Sequence, residues 1–208
     1  FLVGFLNHYE NISITITGFI LQGLGYSFLV STAVGFFSEA VRVSRKSIMP
    51  EKVRIIIRVS LMLANIAALV MAIIGYETNM DMLVNAVNHP NREIRFNSLV
   101  QAAYALYVAI TAFLLLAVFF YVIILKHVNL TFATLLFALA FMIVRSSYYL
   151  YLAFSDNPYN TTLAERIVLQ YLMEMLTVLS FSLVGLDRSE SYRGHDYYAL
   201  RFLPYHKN

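Results

Sequence analysis

Five apolar stretches dominate the chain, roughly residues 14–37, 55–76, 101–125, 130–154 and 167–186. Each has the length, about 20 residues, that an α-helix rising ~1.5 Å per residue needs to cross ~30 Å of hydrocarbon. Five such runs in 208 residues leave little chain from which to build anything else. Composition agrees. Some 60% of the residues are apolar, 13% are charged, and the mean hydropathy is +0.68, against about half and a quarter in soluble domains. The pattern predicts an all-α, polytopic transmembrane helical bundle as a single domain over residues 1–186, with a tail over 187–208. The opening FLVGFLN is too short to span and runs into polar HYEN, so it reads as the end of an upstream helix and the chain as a fragment. No charged leader region or small-residue cleavage site suggests a signal peptide.

Basic residues set the expected orientation, because cytoplasmic loops carry the Lys/Arg excess. One side collects eleven: Arg42, Arg45, Lys46, Lys52, Arg54, Arg58, Lys126, Arg188, Arg193, Arg201 and Lys207. The other holds three, Arg92, Arg95 and Arg166. The tail is therefore expected in the cytosol. Of the sequons, Asn160 falls in an outer loop and is the one candidate glycosylation acceptor, though sequons arise often by chance. Met80, Leu83, Val84 and Val87 recur at helical spacing in the longest loop and fit either a short interfacial helix or an ordinary loop. The tail interleaves Tyr197, Tyr198, Phe202 and Tyr205 with Arg201 and Lys207, a pattern suited to the inner headgroup region or to a solvated tail.

Several function classes are disfavoured. A net charge of +3 on so apolar a chain, with no RNP, zinc-finger or basic-helix pattern, argues against nucleic acid as a partner. With no cysteine there is no disulfide, thiolate metal site or cysteine nucleophile. All five histidines lie in predicted loops or the tail, so no metal site is expected. No Walker or G-x-S-x-G motif occurs, and the last span lacks the lysine a retinal Schiff base needs. The chain is expected to be neither an enzyme nor a cofactor binder.

Two charges lie at membrane depth. Arg145 is ten residues before Ser155 and Glu174 nine after Glu165, so both sit ~14 Å below the outer surface on adjacent antiparallel helices. Opposite charges at one depth predict a direct or water-bridged ion pair. Tyr148 and Tyr149, three and four residues from Arg145, and Gln170, Tyr171 and Thr177, four and three from Glu174, make this a polar patch. Such a patch is either a partly hydrated pocket for a headgroup or small ligand, or a salt bridge that fixes helix register. In the first span Gly23, Ser27, Ser31 and Gly35 form a small-residue stripe at i+4 spacing that would let another helix approach closely. Gln22 and Asn65 are lone intramembrane amides, expected to bond between helices.

Three stretches carry a family resemblance: ILQGLGYSFLVSTAVGFFSEAVRV, EKVRIIIRVSLMLANIAALVMAIIGY and FMIVRSSYYLYLAFSDNPYNTTLAERIVLQYLMEM. In the last, Val-Arg precedes a Tyr-containing turn, Asn-Pro is followed by an aromatic and Asn, and Met-Glu lies in the final helix. In order and spacing the chain resembles a family of fungal seven-helix integral membrane proteins defined only as a domain of unknown function. The resemblance implies two upstream helices, with this chain starting near the end of the second, and supplies no activity. A looser similarity, in helix layout and an Arg–Tyr late in the bundle, is to fungal lipid-translocating exporters of the Rta type. The leading expectation is a non-enzymatic binder or transporter of lipid or a small amphiphile, with membrane lipids around it. The alternatives are a seven-helix receptor or sensor, or a scaffold without ligand. A cavity reaching Arg145 would favour the first two, and a dry, closed pair the last.

Overall fold

The computed structural model describes residues 12–43, 50–78, 96–125, 130–155 and 162–183. The upstream helix end, the candidate interfacial helix, Asn160 and the tail lie outside them. Four long helices are α1 (Ile12–Val43), α2 (Glu51–Thr78), α3 (Ser98–Leu125) and α4 (Leu130–Phe154). A fifth, α5, covers 163–183, opening with one α-turn at Leu163–Arg166 and continuing through a π-helical segment at Ile167–Leu172. Among the described residues five helices are long and apolar enough to cross a membrane. The chain is a multi-span helical bundle, as its apolar runs predict.

The first four helices are as long as, or longer than, the apolar runs, because local chemistry rather than hydropathy ends them. Pro50 precedes α2 and its carbonyl accepts the Arg54 amide at 3.1 Å, a position where the missing proline N–H costs nothing. Asn97 opens α3: its carbonyl accepts Val100 N (3.0 Å), and its side chain accepts Leu99 N (3.4 Å) and donates to Thr78 Oγ1 at the end of α2 (2.9 Å). Thr162 and Glu165 form a reciprocal capping box before α5, each backbone N–H donating to the other's side-chain oxygen at 3.3 Å. That box starts α5 four residues before the apolar run expected at 167.

Helices α1 and α4 are the most enclosed, and α2 and α5 lie outermost. The core joins Val30, Val34 and Val41 of α1 to Tyr107 and Leu114 of α3 and Leu135, Leu139 and Met142 of α4. The outward faces are apolar too: Ile56, Val59 and Leu63 of α2, Leu116 and Phe120 of α3, and Leu179 and Leu183 of α5 are exposed. A surface of this kind is what lipid tails cover, since they solvate leucine as well as a protein core does.

The small-residue stripe on α1 divides. Ser27 and Ser31 face α2, where Asn65 Nδ2 lies 3.0 Å from Ser27 O, Ser27 Oγ and Ser31 Oγ. Asn65 thus bonds between helices as expected. No described residue packs closely on Gly23 or Gly35, where an added Cβ would meet none of their atoms within 4 Å. A 3.6-residue helix turns past a strict i+4 row, so its two ends leave the partner's face. The close approach lies instead at Gly75 of α2, where a Cβ would fall 2.6 Å from Val100 Cγ2 and 3.0 Å from Val100 N on α3. All the buried residues of α2, Asn65, Ala68, Ala72, Gly75 and Tyr76, lie in its second half.

Candidate functional site

Arg145 points from α4 into the bundle and is 1% exposed, the largest fully buried side chain of the described residues. Its Nη2 lies 3.1 Å from Glu174 Oε2 on α5, whose side chain remains 34% exposed. The expected ion pair is direct. Glu174 reaches it across Gly25 of α1, where a Cβ would lie 3.7 Å from Glu174 Oε1, ordinary contact distance.

Two tyrosine rings hold the guanidinium. Its Cζ lies 5.1 Å from the Tyr26 ring centroid and 5.8 Å from that of Tyr149, within the range where a ring face attracts a cation. Tyr26 is anchored in turn, its hydroxyl donating to the Met142 carbonyl at 3.2 Å and lying 3.0 Å from Thr111 Oγ1. Tyr149 stacks on Tyr104 of α3 with centroids 5.3 Å apart and rings 10° from parallel. Tyr104 shares a 2.6 Å hydroxyl contact with Tyr76 of α2. Aromatic contacts therefore run from α2 through α3 and α4, and by Tyr107 against Tyr26 (5.1 Å, edge-on) to α1.

A cleft opens beside the guanidinium, lined by Gln22, Gly23, Tyr26, Tyr104, Arg145 and Tyr149 among others. The cleft is small, with room for about one water molecule. Gly23 keeps it open, being a buried position with nothing within 4 Å of where its Cβ would stand. Several polar atoms around it meet no partner among the described residues: Arg145 Nε and Nη1, Gln22 Nε2 and the Tyr149 hydroxyl. Buried donors left this way cost roughly 1–3 kcal/mol each, more when charged. Among the described residues no group of three or more His, Asp or Glu side chains could hold a metal.

The structure thus gathers Arg145, Glu174 and Tyr149 at one site. Tyr148 is buried edge-on to Tyr149 but outside the cleft lining, its hydroxyl unpartnered. Gln170 is buried on the π segment, and Tyr171, though 39% exposed, stays within electrostatic reach of both Glu174 and Arg145. Gln22, expected to bridge helices, faces the cleft without an acceptor. Tyr26, Tyr104 and Tyr107 are the members the sequence reading lacked; the spacing of Tyr104, Tyr107 and Thr111 along one face of an otherwise apolar helix was the available signal.

A bundle of membrane-length helices around a buried, paired arginine defines a polytopic helical membrane protein with an internal polar centre. Within that class the chain belongs to the family described as a domain of unknown function (DUF7702), which matches residues 2–191. No curated protein and no solved structure matches it.

Proposed function

We propose that the protein is a non-enzymatic membrane protein that binds, and carries within the bilayer, a lipid or small amphiphile at the Arg145 cleft. One observation carries this reading: a guanidinium 1% exposed has two nitrogens without an acceptor, beside a space that Gly23 leaves free. A pair serving only to fix helix register is expected to be closed and fully bonded, since unsatisfied donors subtract from what the pair contributes. Glu174, still a third exposed, supplies a side of the site open toward the helix surface. In this reading the basic end of the bundle and the chain's C-terminus face the cytosol, with the cleft reached from the outer half of the membrane or from lipid.

The test is to purify the protein in lipid nanodiscs, extract the bound material and compare it by mass spectrometry with the Arg145→Met/Glu174→Met double variant. The expected result is an amphiphile enriched over bulk lipid with the parent protein only, both proteins melting at similar temperatures. Identical extracts from two folded proteins would refute the proposal.

A further inference from the structure

Resting on the binding reading above, we infer that the ligand presents an uncharged oxygen acceptor, such as an ester, ketone or alcohol oxygen on an apolar body, and not an anionic headgroup. Three observations lead there. The unpartnered nitrogens of the residues that line the cleft, themselves covered from solvent, are donors only: Arg145 Nε and Nη1 and Gln22 Nε2, none of which can accept a hydrogen bond. A ligand that satisfies them brings lone pairs. The charge is already balanced, because Arg145 spends its Nη2 on Glu174 at 3.1 Å. An added anion would leave the site at net −1 in a medium where an uncompensated charge costs at least a few kcal/mol, while a neutral acceptor leaves it at zero.

Position and size agree. Arg145 lies nine residues inside the end of α4 at Phe154, ~14 Å along the helix axis and near the middle of a ~30 Å hydrocarbon layer. A phosphate group held there would have to leave the headgroup region and shed its water, whereas a carbonyl or hydroxyl on an apolar molecule loses far less. The cleft takes about one water molecule, the size of a single carbonyl oxygen rather than of a phosphate. Its walls are the rings of Tyr26, Tyr104 and Tyr149, which suit the apolar carbons next to such an oxygen.

The probes are methyl palmitate and, at pH 9, ionised palmitate, which share an acyl chain and differ in charge. Each is added to the intact chain in nanodiscs and read as a shift in melting temperature. Methyl palmitate is expected to raise the midpoint by about 4 °C or more near saturation, and palmitate by much less. Gly23→Val, which grows into the cleft without a backbone clash, and Gln22→Leu, which removes a donor, should each abolish the ester's shift. Either variant folding with an unchanged midpoint is sufficient for the comparison. A larger shift with palmitate than with the ester overturns the neutral-ligand inference and leaves the binding reading standing. No shift with either probe that Gly23→Val or Gln22→Leu removes, together with identical nanodisc extracts, overturns both.

Discussion

Removing one member of the Arg145–Glu174 pair has unequal consequences depending on which is removed. Glu174→Met strands a guanidinium that is 1% exposed and cannot give up its proton, at a cost of about 3–5 kcal/mol. Arg145→Met strands a carboxylate whose side chain is 34% exposed and therefore less desolvated, so it should cost less. Methionine at both positions removes both charges at similar volume and should recover most of the loss. Unfolding in detergent, followed by circular dichroism, checks the order: Glu174→Met least stable, the double variant near the parent. Equal losses from the two single changes would mean that solvent or lipid reaches both groups alike. The pair itself was legible in the sequence because its evidence is one-dimensional. Depth follows from counting residues to the nearest loop, and opposite charges at one depth have few other options. Tyr26 was not legible, since it lies in an apolar run where a tyrosine facing lipid and one facing an arginine look the same.

At the scale of a helix, the π segment of α5 decides what Glu174 faces. A π turn behaves as a one-residue insertion in an α-helix, with residues on either side keeping the faces they would have without it. Deleting Val168, which lies within the segment and is exposed, should restore plain α geometry and leave Glu174 opposite Arg145. Deleting Leu179, beyond the segment, should instead swing Phe181 by about 100° off its 5.6 Å contact with Phe36 of α1. Expression level and melting temperature report the difference, with the Val168 deletion expected near the parent and the Leu179 deletion well below it. Hydropathy could not have revealed this turn, because Ile167, Val168 and Leu169 are as apolar as any α-helical stretch of the chain. The start of the same helix was readable from Thr162 and Glu165, whose spacing marks a capping box wherever an apolar run follows.

For the whole molecule, the distribution of basic residues makes a topological prediction. The chain has no cysteine, so single cysteines at Lys46 and Tyr159 can be labelled against a silent background. They should react with a membrane-impermeant maleimide from opposite sides, Tyr159 from the non-cytosolic one. Reaction of both from one side would remove an odd number of spans from the reading. The number and order of spans were legible because hydrocarbon thickness imposes a length on each run independently of how the helices pack. The arrangement of those helices was not, as the outward faces of α2 and α5 are as apolar as the core.

The distribution of contacts along α2 has a mechanical meaning. Asn65 fastens it to α1, while Gly75, Tyr76 and Thr78 fasten it to the beginning of α3. From Glu51 to Ala64 no residue is buried. The second half of the helix is therefore gripped on two sides, whereas its first half meets the core through half-buried Leu61, Met62 and Ala64. Through Tyr76 the gripped half touches Tyr104, and Tyr104 stacks on Tyr149, so this outermost helix is joined by tyrosine contacts to the wall over Arg145.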